Sequence, residues 1–173
     1  MPLAGLLCLL TASIAHAEEA QTNADVLPAT QLQSDLQSSG QARLFVLHFW
    51  ASWCLPCRSE MRDMAAFHDQ YLSDLEPAGV RLVTISNDLR DSDLQSFLHQ
   101  VPVLFPIYFD PLALLQDHYG VPALPATVIL DSELQIKDRL LGSQNWSEPE
   151  FVEQLESYLQ PQTATTTTTT AME

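Results

Sequence analysis

Leu44-Phe45-Val46-Leu47-His48-Phe49-Trp50-Ala51-Ser52-Trp53-Cys54-Leu55-Pro56-Cys57 is the stretch on which the reading of this chain turns. Leu44 to Ala51 is an apolar run interrupted only by His48, the pattern of a strand buried on both faces. It delivers a Cys-x-x-Cys to the first turn of a helix. Backbone N–H groups and the positive end of the helix dipole favour thiolate over thiol at such a position, which is where Cys54 falls. Cys57 lies one turn further on and can attack a mixed disulfide formed by Cys54. A Cys-x-x-Cys beside a βαβ pattern reads as redox-active.

The chain has 173 residues and three cysteines. The third, Cys8, sits in the apolar run Leu3 to Ala15, and Ala15-His16-Ala17 follows as a small-x-small cleavage pattern. Residues 1–17 are expected to be a secretory signal, with Glu18 first in the mature chain. No Lys or Arg precedes the run, so the basic start is missing. The run is short for a bilayer span; left uncleaved, it would be an anchor. Leu6 and Leu7 do not give Cys8 a lipoprotein context. Removal of Cys8 leaves Cys54 and Cys57 alone, which excludes a four-cysteine zinc site and a disulfide framework. One dithiol in an oxidising, periplasmic or otherwise extracytoplasmic compartment remains.

The formal charge of −15 argues against nucleic acid and anionic lipid as partners, since no basic stripe exists to meet phosphates. An acidic surface serves solubility and can favour basic or neutral partners.

Residues 18–29 read as an irregular lead-in. Thr30 to Leu36 fits either a short helix or an edge element. Pro56 to Leu75 reads as a helix from the spacing of Met61, Met64, Phe67, His68 and Leu72, stopped by Pro77-Ala78-Gly79. Strands are expected at Val80–Ser86, Thr127–Leu130 and Leu134–Leu141, with a short extended piece at Phe105–Phe109. Helices are expected at Asp91–Gln100, Leu112–Tyr119 and Pro149–Leu159, the last with Phe151, Val152, Leu155 and Leu159 on one face. This order gives an α/β sandwich with a mixed sheet over residues 30–160. Residues 161–173, with six consecutive threonines at Thr165–Thr170, read as a disordered tail.

The stretch from Phe49 to Met61 resembles the active-site signature of the TlpA/ResA-like thiol–disulfide oxidoreductases, within the thioredoxin superfamily. Tyr119-Gly120-Val121-Pro122-Ala123-Leu124-Pro125-Ala126-Thr127 is similar to the loop that carries that family's cis-proline. Val80–Asp110 resembles the subfamily's central strand-and-helix insertion, and Gly142 and Trp146 stand where such chains often carry Gly and Trp. The likeness spans residues 30–160 and implies a thioredoxin-like fold, a mixed β-sheet flanked by helices.

The resemblance also implies roles. Cys54 would attack and Cys57 resolve. Leu55 and Pro56, between them, would help set the redox poise. Pro125, after a cis Leu124–Pro125 bond, would pack against the cysteines and leave the Leu124 backbone free to pair with a client strand. Trp53 would add to the docking surface, with Trp50 in the core. Two readings of Glu60 stand: a partly buried acid exchanging a proton with a thiol, as in ResA-type members, or a first-turn Glu favoured by the dipole. His48 departs from the family, which places Asp or a neutral residue there. It is a hydrogen-bonded core histidine, a proton acceptor for Cys57, or, if charged, a stabiliser of thiolate.

The function these residues imply is reduction of disulfides in exported client proteins, such as apocytochrome c or copper-site cysteines, with a membrane electron donor restoring the dithiol. No cofactor or metal is implied, and a monomer is expected because no dimerisation domain is visible. Two rivals remain: the same dithiol working as an oxidase or isomerase, and a copper-binding metallochaperone using Cys54, Cys57 and a histidine. The Pro-x-x-x-Thr-x-x-Cys pattern of a peroxidase is absent.

Overall fold

The computed structural model describes residues 25–160. The expected signal segment, the start of the lead-in and the threonine tail lie outside them. In chain order the elements are β1 (Val26–Pro28), α1 (Leu32–Ser38), β2 (Leu44–Trp50), α2 (Leu55–Phe67), α3 (Ser73–Leu75), β3 (Val80–Ser86), α4 (Asp91–Leu98), β4 (Ile107–Phe109), α5 (Leu114–His118), β5 (Ala126–Asp131), β6 (Ile136–Leu141) and α6 (Pro149–Leu159). One π-helical turn, His68–Leu72, joins α2 to α3 without a break. Helix α6 matches its amphipathic pattern, burying Phe151, Val152 and Leu155.

One sheet of six strands runs in the order β1-β4-β3-β2-β5-β6. The first four are parallel; β5 pairs antiparallel with β2, and β6 antiparallel with β5. Strand β2 is central and every residue of it is buried, as its unbroken apolar run requires. The lead-in is not irregular throughout. Val26–Pro28 forms the edge strand β1, paired residue for residue with Ile107–Phe109. Its three residues are too few to show a period, and their partner lies about eighty positions away.

Alternation along β2 divides the core. Leu44, Val46 and Trp50 face a cluster built with Met61, Met64, Phe67, Phe97 and Trp146, under α2, α4 and α6. Phe45, Leu47 and Phe49 face the opposite cluster, with Leu32, Leu36 and Tyr119. Period two therefore sends His48 to the α2 face. This is the thioredoxin-like fold, and the carboxyl ends of all four parallel strands open on one edge. In open α/β sheets that edge is where ligands bind.

Candidate active site

Both cysteines sit at that edge. Cys54 is the N-cap of α2, with extended backbone (φ −83°, ψ 107°), and its sulfur accepts the Cys57 backbone N–H at 3.3 Å. The two are joined as a disulfide with Cα atoms 5.3 Å apart. Pro56, in the first turn, has no N–H to leave unpaired there. Cys54 is 6% exposed and Cys57 is sealed at 0%. Of the two, only Cys54 shows any surface to the outside. Trp53 and Leu55 stand clear of the surface at 63% and 78% exposure, whereas Trp50 is core, packed against Phe97.

The Leu124–Pro125 bond is cis. Ala126 pairs with Phe49, so Pro125 falls beside the end of β2, at the level where the dithiol loop begins. Pro125 is buried and Leu124 partly so. The Pro125 carbonyl accepts the Gly142 N–H at 2.9 Å. Gly142 has φ +80°, a value that favours glycine, and it turns the chain from β6 back over α2.

That return brings two donors onto Glu60. Its Oε1 accepts the Gln144 backbone N–H at 2.8 Å and the Trp146 indole N–H at 2.6 Å. The side chain is 2% exposed, and burial raises its pKa to about 7, with Asp63 adding to the rise against the two hydrogen bonds. Glu60 is thus a buried carboxyl rather than a solvated first-turn glutamate. His48 is wholly buried; its Nδ1 lies 3.2 Å from Thr127 Oγ1, its register partner on β5, and its ring meets Trp146 edge-on. Burial lowers its pKa to about 3, so the ring is neutral at pH 7. A charged His48 does not fit this environment.

A second carboxylate escaped the sequence reading. Asp88 is fully buried just beyond β3, and it accepts the Ser52 backbone N–H (3.1 and 3.2 Å), the Ser52 hydroxyl (2.5 Å) and the Ser86 hydroxyl (2.8 Å). Ser52 is two residues before Cys54, so Asp88 braces the loop that carries the Cys54 sulfur. Beyond β4, Asp110 ties down the start of α5 instead: it takes three backbone N–H groups there and an Asn87 amide. The signal for Asp88 is a pairing between strands rather than a local motif. β2 and β3 are parallel with Trp50 opposite Ser86, so residues following one must flank residues following the other. Among the described residues, no group of three or more His, Cys, Asp or Glu is arranged to hold a metal ion.

The AhpC/TSA family model matches residues 20–139. The thiol-disulfide oxidoreductase ResA of Bacillus thuringiensis (strain Al Hakam) is 30% identical over 113 residues, 65% of this chain and 60% of the relative. The chain thus spans about 60% of the length of that relative. Sporulation thiol-disulfide oxidoreductase A of Bacillus subtilis (strain 168) is 28% identical over 136 residues, covering 74% of this chain and 78% of the relative. Among solved structures, a Chlorobium tepidum protein described as a DsbE-type thiol:disulfide interchange protein superposes with a TM-score of 0.62 at 27% identity, over 74% of this chain and 85% of that one. With that coverage, and with a thioredoxin-like fold placing its dithiol at the head of α2, the chain belongs to the AhpC/TSA family.

Proposed function

We propose that this chain is an exported thiol–disulfide oxidoreductase that reduces disulfides in client proteins through Cys54 and Cys57. The observation that carries the reading is the dithiol itself: one reachable sulfur capping a helix, a sealed partner one turn on, and a buried acid beside them. The relatives' names, ResA and sporulation thiol-disulfide oxidoreductase A, point the same way. Cys54 attacks the client disulfide, Cys57 resolves the mixed disulfide, and a membrane dithiol donor re-reduces the pair. The N-terminal apolar run and small-x-small pattern support export. The reductive direction is supported by the wholly buried, neutral His48, which adds no positive charge to favour thiolate.

Protein clients are favoured by the surface around the dithiol. Of the exposed large apolar side chains among the described residues, Trp53, Leu55, Leu89, Leu112, Leu114 and Leu141 all stand at the active-site edge, beyond β2, β3, β4 and the end of β6. Such a rim suits an unfolded or extended client, with Leu124 and Pro125 beside it. The testing experiment is equilibration of the protein against thiol buffers of defined potential. A potential near about −270 mV, that of thioredoxin, supports a reductase; one near about −120 mV makes it an oxidase.

A further inference from the structure

His48 Nε2 and Glu60 Oε2 face each other 3.8 Å apart, and neither has a hydrogen-bond partner. Every other polar atom of the two side chains is engaged. Oε1 of Glu60 takes two N–H donors, and Nδ1 of His48 meets Thr127. Two unpaired polar atoms thus share one buried space, which is costly unless something joins them. One proton on Oε2 does so. It makes that oxygen a donor and leaves the Nε2 lone pair as the acceptor in reach; a shift of about 1 Å brings the two to hydrogen-bond distance. The two donors already on Oε1 keep the proton off that oxygen.

We propose that His48 is a positioning residue that holds a proton on Glu60 Oε2, so that the two side chains form a one-proton reserve for Cys57. This rests on the dithiol reading above and adds to it a residue outside the Cys-x-x-Cys. Glu60 lies one helical turn from Cys57 on the buried side of α2, where residues three apart are neighbours. When a donor thiolate attacks Cys54, the Cys54–Cys57 bond breaks. The Cys57 sulfur leaves with the electron pair and takes the proton from Oε2. A second donor thiol then releases the reduced dithiol. When Cys54 has attacked a client disulfide, Cys57 returns its proton to Oε2 and attacks Cys54. The client sulfur leaves with the electron pair. The client gains two electrons, the dithiol loses two, and Glu60 ends the cycle loaded as it began.

The groups facing this pair are few. Asp63 on α2 is the carboxylate whose charge reaches Glu60; the 142–148 turn contributes only the Gln144 amide and the Trp146 indole, and β5 the uncharged Thr127. Burial raises the acid and lowers the imidazole, which puts the single proton on the carboxyl.

The test is infrared titration of the protonated carboxyl band in the oxidised full chain, with Glu60→Gln identifying the band. The wild-type band is expected to disappear near pH 7. His48→Leu removes the acceptor and should lower that midpoint by roughly half to one pH unit, the equivalent of one hydrogen bond. His48→Gln offers an amide oxygen to the same proton and should restore most of the shift. The pH profile of reduction by dithiothreitol should move with the band. An unchanged midpoint in His48→Leu, or equal shifts in both variants, overturns the proposal. If His48→Leu does not fold, nitrogen NMR of the wild type decides: Nδ1–H with a bare Nε2 supports it, and Nε2–H overturns it. A wild type that reduces no protein disulfide would sink the dithiol reading instead, and the carboxyl band would still report on the pair.

Discussion

Asp88 grips Ser52 by both its backbone N–H and its hydroxyl, so a buried carboxylate on the β3 side fixes the loop two residues before Cys54. Nothing in this contact touches sulfur; its effect on chemistry runs through the backbone. Asp88→Ala strands the Ser52 N–H and both serine hydroxyls in a buried site. A loss of about 2–4 kcal/mol in stability is expected, with disulfide reduction slowed more than the loss of folded protein explains. Denaturant unfolding and kcat/KM on the folded fraction measure the two effects. A variant as stable and as fast as wild type would remove Asp88 from the account.

The two ionisable groups behind the dithiol set opposite trends in stability with pH. Glu60 is raised from 4.5 to about 7 in the fold, so its contribution is complete below pH 4.5 and is lost as pH rises towards 7. His48 is lowered from 6.5 to about 3, so its contribution is complete above pH 6.5 and is lost as pH falls towards 3. Between pH 4.5 and 6.5 the folded pair holds one proton, on Glu60, and the unfolded pair also holds one, on the histidine. The slopes cancel there. Urea unfolding across pH should show a plateau in that window from these groups. Glu60→Gln should leave stability falling as pH drops through 6.5, and His48→Leu should leave it falling as pH rises from 4.5. A wild-type slope unaltered by either substitution would contradict the assignment.

The parts of the fold legible from sequence were those whose signal is local. β2, β3 and α6 announce themselves by an unbroken apolar run or a one-sided stripe, and Cys54 and Cys57 by their place at a strand–helix junction. β1 and Asp88 were not legible for a shared reason: each is defined by a partner distant in sequence. Val26–Pro28 is a strand only because Ile107–Phe109 lies beside it. Ser86-Asn87-Asp88 reads locally as a polar turn, and Asp88 is buried only because the sheet sets Ser52 next to it. His48 is the intermediate case. Its residue type marked it out, but its neutrality depends on α2 and on Trp146, almost a hundred residues on. No window of sequence carries that burial.

Trp146 links the two halves of the acid's environment. Its indole N–H is one of two donors on Glu60 Oε1, and its ring packs against His48, Phe67 and Phe151. Trp146→Phe keeps most of the packing and deletes the donor. A hydrogen bond that favours the carboxylate is lost, so the Glu60 pKa should rise above about 7. The pH at which dithiothreitol reduction of the disulfide falls off should rise with it. Stability should drop by about 1–3 kcal/mol, most of it from the smaller ring and the unpaired oxygen. A midpoint that falls would mean that the indole acts on Glu60 by packing alone.

The apolar rim makes a prediction about substrates that the dithiol alone does not. Leu112 and Leu114 stand beyond β4, two strands from β2, with an apolar cleft of about 280 Å³ beside them lined by Pro28, Phe109 and Pro111. At about 4.8 Å per strand, this lies roughly 10 Å sideways from the dithiol loop, the reach of about three extended residues of a client. The paired substitution Leu112→Ser, Leu114→Ser should therefore lower kcat/KM for a protein disulfide several-fold. It should leave reduction of a small aromatic disulfide unchanged, since that molecule needs only Cys54. Trp53→Ala, beside the cysteine, should slow both. Equal losses on both substrates from the leucine pair would mean that the loop had been disturbed rather than a contact removed. No loss on either would confine client binding to the immediate surroundings of Cys54.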